Sequence, residues 1–180
     1  KSYTYDAAGR PISKTDNASN TTNFAYDAIG QLLQLDFPGN NDNSFTYDLE
    51  GRMLTATNNN ALVSMTYDGI GRTLTETLNG KSNTRTYNTS TGINSITYPG
   101  GRQIIYALDA RDRLSNIAEG SSSLLSIIHS ANDRLTSKTY GNGVNCNYQY
   151  NGNGNILSLS HTKNTNVIAG YSYIYDKVGN

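Results

Sequence analysis

The 180-residue sequence contains one cysteine, two histidines, three prolines and no tryptophan. One cysteine cannot build an internal disulfide framework, and so few cysteines and histidines form no cluster with metal-ligand spacing. The 14 basic and 14 acidic residues cancel and are spread along the chain. Binding to nucleic acid depends on basic residues that contact phosphates. The composition therefore argues against metal ions, cofactors and nucleic acid as partners.

Long apolar segments are also missing. No run approaches the ~20 residues that a membrane-spanning helix needs, and no signal peptide opens the chain. The chain starts two residues before a motif aromatic, Tyr3, and ends inside another copy of the motif. We therefore expect a fragment of a longer repeat array, with no membrane span in this fragment.

What the sequence does contain is the motif Tyr-Asp-x-x-Gly-Arg, which returns about every 21 residues. Such a period indicates a small structural unit that cannot bury its apolar face alone and stacks on its neighbours. It predicts one continuous array over residues 1–180, with about eight repeats and a ninth begun at the C-terminal end. The copies, some of them degenerate, begin at Tyr5, Tyr26, Tyr47, Tyr67, Tyr87, Leu108, His129, Tyr150 and Tyr175.

The residues before each motif have the pattern of a strand. We number the motif Tyr as position 0 of its repeat. Position −2 is mostly aromatic or apolar, and position −1 is mostly small or polar. Eleven of the 14 tyrosines occupy positions 0 and −2. This alternation is typical of a half-buried strand whose aromatic residues share one face.

The Asp-x-x-Gly segment predicts a hairpin turn. The Asp at +1 can accept bonds from backbone amides, and the Gly at +4 can take positive φ, which suits a three-residue loop closed by a bulge. Position 0 then faces +6, as in Tyr26 with Leu32 and Tyr47 with Met53. The Asp at +1 faces the Arg at +5 in the pairs Asp6/Arg10, Asp48/Arg52, Asp68/Arg72 and Asp109/Arg113.

The predicted fold is all-β. Tandem antiparallel β-hairpin repeats of about 21 residues form a curled, solenoid-like strip. The segment Ser121–Ile128, the best helix candidate, also has the pattern of a strand. Asp112 and Asp133 replace the turn glycine in the sixth and seventh repeats, and Asp can adopt positive φ. In the fifth repeat the glycine is displaced by one position. The last repeat has about four extra residues, which predict a longer loop within Ser160–Gly170.

The recurring motif resembles the YD repeats of the Rhs family, which occur in bacterial Rhs toxins, insecticidal toxin complexes and teneurins. The resemblance covers the whole chain. It implies a β-hairpin strip that spirals into a hollow shell, and in bacterial members a shell that encloses a C-terminal effector. It also implies a bacterial protein that is secreted or at the cell surface. Two further segments also resemble sequences of this family, namely Ile96-Thr97-Tyr98-Pro99-Gly100-Gly101-Arg102 and Tyr140-Gly141-Asn142-Gly143-Val144.

Few residues could carry chemistry. Cys146 and His161 could in principle form a nucleophile pair, but no family pattern surrounds Cys146. We interpret Cys146 as a small strand residue, and His129 as a packing residue in a motif Tyr position. We therefore predict no catalytic, cofactor-binding or metal-binding residues. The chain is predicted to be a non-enzymatic part of a toxin shell, whose partners are the rest of that shell and an enclosed effector.

A cell-surface adhesion or carbohydrate-binding array is the alternative, because regularly spaced tyrosines could also bind surface glycans. The position of the rings separates the two hypotheses. A structural role requires the motif rings to lie in one column, in contact or separated only by a side chain of a neighbouring repeat. Glycan binding requires several rings exposed in one shallow groove.

Overall fold

The computed structural model describes residues 1–39, 41–88, 92–176 and 179. All the regular secondary structure in these residues is β-strand, and the 17 strands are joined by short turns. The all-β prediction is confirmed. The chain divides into two compact units, Lys1–Arg85 and Thr86–Asn180. The turn of the fifth repeat, at residues 89–91, and most of the turn of the ninth lie outside the described residues.

In the first unit, each strand pairs antiparallel with its neighbours along the chain. The predicted register is confirmed, since Tyr26 pairs with Leu32 and Tyr47 pairs with Met53. A bulge lies beside each of these tyrosines. The strands are β1 (Ser2–Tyr5), β2 (Pro11–Thr15), β3 (Thr21–Tyr26), β4 (Leu32–Asp36), β5 (Asn43–Tyr47), β6 (Met53–Thr57), β7 (Leu62–Tyr67), β8 (Thr73–Leu78) and β9 (Lys81–Tyr87), which ends just past the unit boundary.

The second unit repeats this meander. The segment Ser121–Ile128 is confirmed as a strand, because β13 covers Ser122–His129. Position 0 again faces +6, as Tyr150 pairs with Ile156. The strands are β10 (Ile93–Thr97), β11 (Gln103–Leu108), β12 (Leu114–Glu119), β13 (Ser122–His129), β14 (Leu135–Tyr140), β15 (Val144–Tyr150), β16 (Ile156–Lys163) and β17 (Asn166–Ser172).

The predicted loop within Ser160–Gly170 is wrong. The extra residues lengthen β16 and β17, which pair from Ser158 with Ser172 to Lys163 with Asn166. Only Asn164 and Thr165, with φ of 47° and 73°, connect the two strands. Two consecutive residues at positive φ form a tight turn that matches the twist of paired strands. Longer strands also pair backbone groups that a loop would leave to water.

The turn glycines adopt the predicted conformation. Gly9, Gly30, Gly51 and Gly71 have φ between 78° and 92°. Asp112 and Asp133 take the same place with φ of 58° and 61°. The backbone amide of each still donates to the carbonyl three residues earlier, at 3.0 and 3.1 Å. The turn therefore survives the loss of its glycine.

The interior of the protein is small. Among the described residues, only Ser95, Ile104, Ala118 and Cys146 are buried. The strands contact their neighbours in the chain, and the face opposite the motif tyrosines carries rows of Ser and Thr. Hydroxyls pair across strands on that face, for example Thr46 with Thr55 at 2.6 Å. Stability must therefore come mainly from contacts between adjacent strands and hairpins.

Candidate functional site

The repeated turn carries a set of polar contacts that recurs along the chain. At Asp48, Oδ1 accepts the backbone amides of Glu50 and Arg52 at 3.0 and 2.8 Å. The amide of Asp48 donates to the Arg52 carbonyl, and that of Gly51 donates to the Asp48 carbonyl. One aspartate therefore holds the whole turn. The described Asp turns at Asp6, Asp27, Asp68 and Asp109 repeat this pattern.

The predicted Asp–Arg pairs are confirmed. Oδ2 of Asp48 accepts Nε of Arg52 at 2.6 Å, and the other three pairs have N–O distances of 2.6 to 2.7 Å. The side-chain hydrogen bond from Arg113 lowers the pKa of Asp109 to about 2, against the smaller opposing effect of desolvation. Charge-assisted bonds of this kind favour the ionised carboxylate. Each pair fixes the guanidinium beside its own turn.

That fixed guanidinium then contacts the next repeat. Arg52 lies over the ring of Tyr67 at 4.9 Å, and its Nη1 donates to the carbonyl of Asp68 at 3.3 Å. Arg10 makes the equivalent contacts with the following repeat, at 4.8 Å from the ring of Tyr26. A guanidinium over an aromatic face is attracted by the electron-rich ring. Arg10 and Arg52 therefore each tie their own repeat to the one after it.

The motif tyrosine makes the reciprocal contact with the repeat before it. Its hydroxyl donates to the backbone carbonyl at position +6 of the preceding repeat. The distance is 2.9 Å from Tyr47 to Leu32 and 2.8 Å from Tyr150 to Leu135. The other described examples are Tyr26 to Pro11, Tyr67 to Met53 and Tyr175 to Ile156. We call these bonds, together with the arginine contacts, the Tyr–Arg ladder.

The Tyr–Arg ladder agrees with the predicted column of motif rings and shows which side chains separate the rings. The motif rings alternate with side chains from position +5, so a neighbour in the column is an arginine rather than another ring. Position +5 of the repeat before Tyr47 is Gln31, which is uncharged, so no cation from that position lies over the Tyr47 ring. The hydroxyl bonds point toward the N-terminus, so Tyr175 is anchored, while Tyr5 is 58 % exposed. Sequence reasoning missed this direction. Donor and acceptor are 14 or 15 residues apart in four of the described bonds and 19 residues apart in the bond of Tyr175.

The structure brings Cys146 and His161 together. They are direct cross-strand partners on β15 and β16, with Sγ of Cys146 2.9 Å from Nδ1 of His161. Cys146 is 3 % exposed. This register follows from the turn of the hairpin. The bulge beside Tyr150 makes position −2 face +9, so position −4, which is Cys146, faces +11, which is His161. A nucleophile also needs a group that orients its base and donors that stabilise a developing charge, and neither is seen beside this pair among the described residues. We interpret it as a cross-strand packing contact.

His129 occupies a motif Tyr position but cannot make the Tyr contact. Its Nδ1 lies 4.0 Å from Oδ2 of Asp109, beyond hydrogen-bonding distance, and has no hydrogen-bond partner. Two arginines of the sixth repeat contact the turn of the seventh. Nη1 of Arg113 donates to Asp133 and to the carbonyl of Ser130, and Nη1 of Arg111 donates to Asp133 and to the carbonyl of Ala131.

Within the described residues, no three His, Cys, Asp or Glu side chains are grouped so that they could hold a metal ion. The same part of the chain contains no helix with the length and apolar character needed to cross a membrane.

Comparison with known proteins shows a likeness in sequence over part of the chain and a likeness in fold over nearly all of it. Residues 1–76 match the family model described as Teneurin YD-shell. No curated protein sequence matches the chain. Among solved structures, the chain superimposes on the crystal structure of TcdB2-TccC3-TEV with a TM-score of 0.67 and 15 % sequence identity. The superposition covers 99 % of this chain. Residues 1–76 are therefore similar to a teneurin YD-shell, and the same Tyr-Asp (YD) motif recurs in the rest of the chain.

Two further structures show the same likeness of fold. One is the Tc holotoxin pore of Photorhabdus luminescens, at 16 % identity, and the other is TcdB2-TccC3 without its hypervariable C-terminal region, at 15 % identity. Both have a TM-score of 0.67 and align over 99 % of the YD-repeat array. The array spans 11 % of the length of each of these chains. At such identities the likeness concerns the fold alone.

Proposed function

We propose that this YD-repeat array is a non-catalytic structural module of a shell in an Rhs-type bacterial toxin. Residues 1–180 would form one continuous stretch of shell wall. The observation that carries the proposal is the Tyr–Arg ladder, in which the motif residues are used to join repeats. Side chains committed to neighbouring repeats, such as Tyr47 and Arg52, are not free to act on a substrate.

The proposed partners are the rest of the same shell and an effector domain that it encloses or presents. The solved structures with this fold include a Tc holotoxin pore and a TcdB2-TccC3 chain without a hypervariable C-terminal region. A wall one sheet thick suits a container, because it encloses volume with few residues. We propose that the protein is bacterial and is secreted or exposed at the cell surface.

Protection from protease tests the enclosure. The longer chain from the parent gene would be digested with a non-specific protease, beside its C-terminal domain expressed alone. Enclosure predicts much slower cleavage of that domain in the longer chain. The matched variant Tyr47→Phe/Tyr67→Phe of the longer chain lacks two hydroxyl bonds of the Tyr–Arg ladder. Cleavage of the C-terminal domain should be faster in this variant. Equal digestion of the C-terminal domain in all samples would refute enclosure.

The glycan-binding alternative loses its main motivation. It needs motif rings exposed in a groove, but Tyr26, Tyr47 and Tyr67 are partly buried and donate their hydroxyls to neighbouring hairpins. Among the exposed tyrosines of the described residues, Tyr5 of the first repeat holds a motif position, whereas Tyr171 lies outside it. Retention of the protein on a glycan array, lost on Tyr171→Ala, would revive this alternative.

A further inference from the structure

Arg134 differs from every other arginine of the chain in lacking an acidic partner. Among the described residues, no Asp or Glu side chain forms an ion pair with it. The cause lies in the sequence, because Ser130 stands in the seventh repeat where the motif has Asp. Arg134 therefore has a positive charge with no carboxylate bound to it. The other seven arginines, each paired with a carboxylate, are Arg10, Arg52, Arg72, Arg85, Arg102, Arg111 and Arg113.

The turn around Ser130 keeps the shape of the Asp turns. The amide of Ser130 donates to the Arg134 carbonyl at 2.8 Å, and that of Asp133 donates to the Ser130 carbonyl at 3.1 Å. Oγ of Ser130 accepts the Arg134 amide at 3.2 Å, as the Asp Oδ1 does in the other turns. No described side chain takes the place of Oδ2, which in those turns accepts the arginine Nε at 2.6 to 2.8 Å. The seventh repeat therefore keeps a place for a carboxylate that its own side chain does not fill.

The guanidinium of Arg134 is nevertheless held in position. Its Nη1 donates to the carbonyl of Asn151 at 2.8 Å, and its Nη2 donates to the carbonyl of Gly152 at 3.3 Å. The group lies over the ring of Tyr150 at 5.7 Å, and a Cβ placed on Gly154 would lie 3.0 Å from Nη2. These contacts use the two terminal nitrogens and leave Nε as a donor. A donor that is fixed before its ligand arrives loses less freedom on binding.

Arg102 shows how this chain satisfies an arginine whose turn has no acid. It closes a turn of the same type, in which Tyr98 stands where the other turns have Asp. Its guanidinium instead binds Glu119 from another strand, with Nε 2.8 Å from Oε1 and Nη2 3.3 Å from Oε2. Arg134 has no such substitute in the described part of the chain, because the adjacent Asp133 accepts two arginines of the sixth repeat. An acid from outside the array is the partner that is missing.

We propose that Arg134 and the turn of Ser130 form a binding site for one carboxylate group supplied from outside the array. One carboxylate oxygen accepts Nε of Arg134, in a charge-assisted hydrogen bond. The other accepts the Ser130 hydroxyl and the amide of Asn132, which corresponds to the Glu50 amide that Asp48 accepts. In the other turns the Asp side chain is 16 to 25 % exposed, so this place is reached from water. The carboxylate belongs to a free small ion or to an acidic side chain of another polypeptide.

The test is a titration of the 180-residue protein with sodium acetate near neutral pH, followed by NMR. Sodium chloride is lowered in step, because surface electrostatics depend on ionic strength. We expect the Nε–Hε signal of Arg134 and the amide signal of Asn132 to shift and to saturate. The Nε–Hε signals of Arg10, Arg52 and Arg72 are controls within the same spectra. They should not move, because each already donates to an Asp carboxylate.

Two variants test the site from opposite sides. Ser130→Asp restores the motif acid, which occupies the place itself, so acetate binding should weaken by more than about tenfold. Arg134→Gln removes the charge and should abolish the shift of the Asn132 amide. Circular dichroism checks that each variant is folded. Ser130→Asp keeps a complete motif pair, so it still tests the proposal where Arg134→Gln loses its fold.

A tripeptide with one glutamate and blocked ends, beside the same peptide with glutamine, separates the two sources of the carboxylate. Tighter binding of the glutamate peptide than of acetate assigns the site to an acidic side chain, and binding of acetate alone assigns it to a free ion. Three outcomes would overturn the proposal: no saturable shift at Arg134 with either carboxylate, equal shifts at the control arginines, or undiminished acetate binding in Ser130→Asp.

Discussion

Replacement of Tyr47 by Phe removes one hydroxyl and leaves the ring in place. That hydroxyl donates to the Leu32 carbonyl at 2.9 Å, between two neighbouring hairpins. A hydrogen bond of this kind contributes about 0.5–1.5 kcal/mol to stability, and the carbonyl left behind loses its partner. We therefore expect Tyr47→Phe to lower the free energy of unfolding by about 1 kcal/mol. Tyr47→Ala also removes the ring, and should cost about 3 kcal/mol, the lower end for buried aromatics, because this ring is only partly buried.

The direction of the ladder supplies the controls. Tyr5 is 58 % exposed, and its hydroxyl has no bond to a preceding hairpin, so Tyr5→Phe should be neutral. Tyr175 lies near the other end but donates to the Ile156 carbonyl at 2.9 Å. Tyr175→Phe should therefore cost about as much as Tyr47→Phe. Urea denaturation followed by circular dichroism measures all three. Equal losses at Tyr5 and Tyr47, or no loss at Tyr47, would refute the idea that these hydroxyls join the repeats.

Three further predictions concern the turns. Gln31→Arg would place a cation over the ring of Tyr47 and should raise the unfolding free energy by about 0.5–1 kcal/mol in urea denaturation; a neutral result would count against the arginine contacts. Gly51→Ala, at φ 83° and with Gln31 close by, should cost on the order of 1 kcal/mol in the same assay, and slightly more than Gly9→Ala, where nothing lies within 4 Å. The pKa of Asp109 is lowered to about 2, so the stability that its ionised form provides is complete above pH 3.8 and is lost as the pH falls toward 2. The melting temperature should drop across that interval, and less steeply in Asp109→Asn; parallel curves for the two proteins would contradict this origin.

Local chemistry made the hairpin predictable. A turn of five residues is controlled by contacts within itself, so Asp48, Gly51 and Arg52 were enough to predict its conformation, its register and its ion pair. The substitution of Asp133 for Gly was tolerated for the same local reason, since aspartate can adopt the positive φ that the turn requires. The alternation of side chains before each motif likewise predicted the strands, because it depends only on the period of two.

Contacts between repeats depended on the tertiary structure. Which carbonyl receives the Tyr47 hydroxyl, and which ring lies under Arg52, depends on how far each hairpin is staggered against the next. The pairing of Cys146 with His161 is different, because it lies within one hairpin and follows from the register of that hairpin; it was missed because His161 was placed in a predicted loop. The sequence by itself determined the repeated hairpin, because turn and strand preferences act within a few residues. Only the tertiary structure decided how the hairpins interlock, because that depends on side chains about 15 residues apart meeting in space.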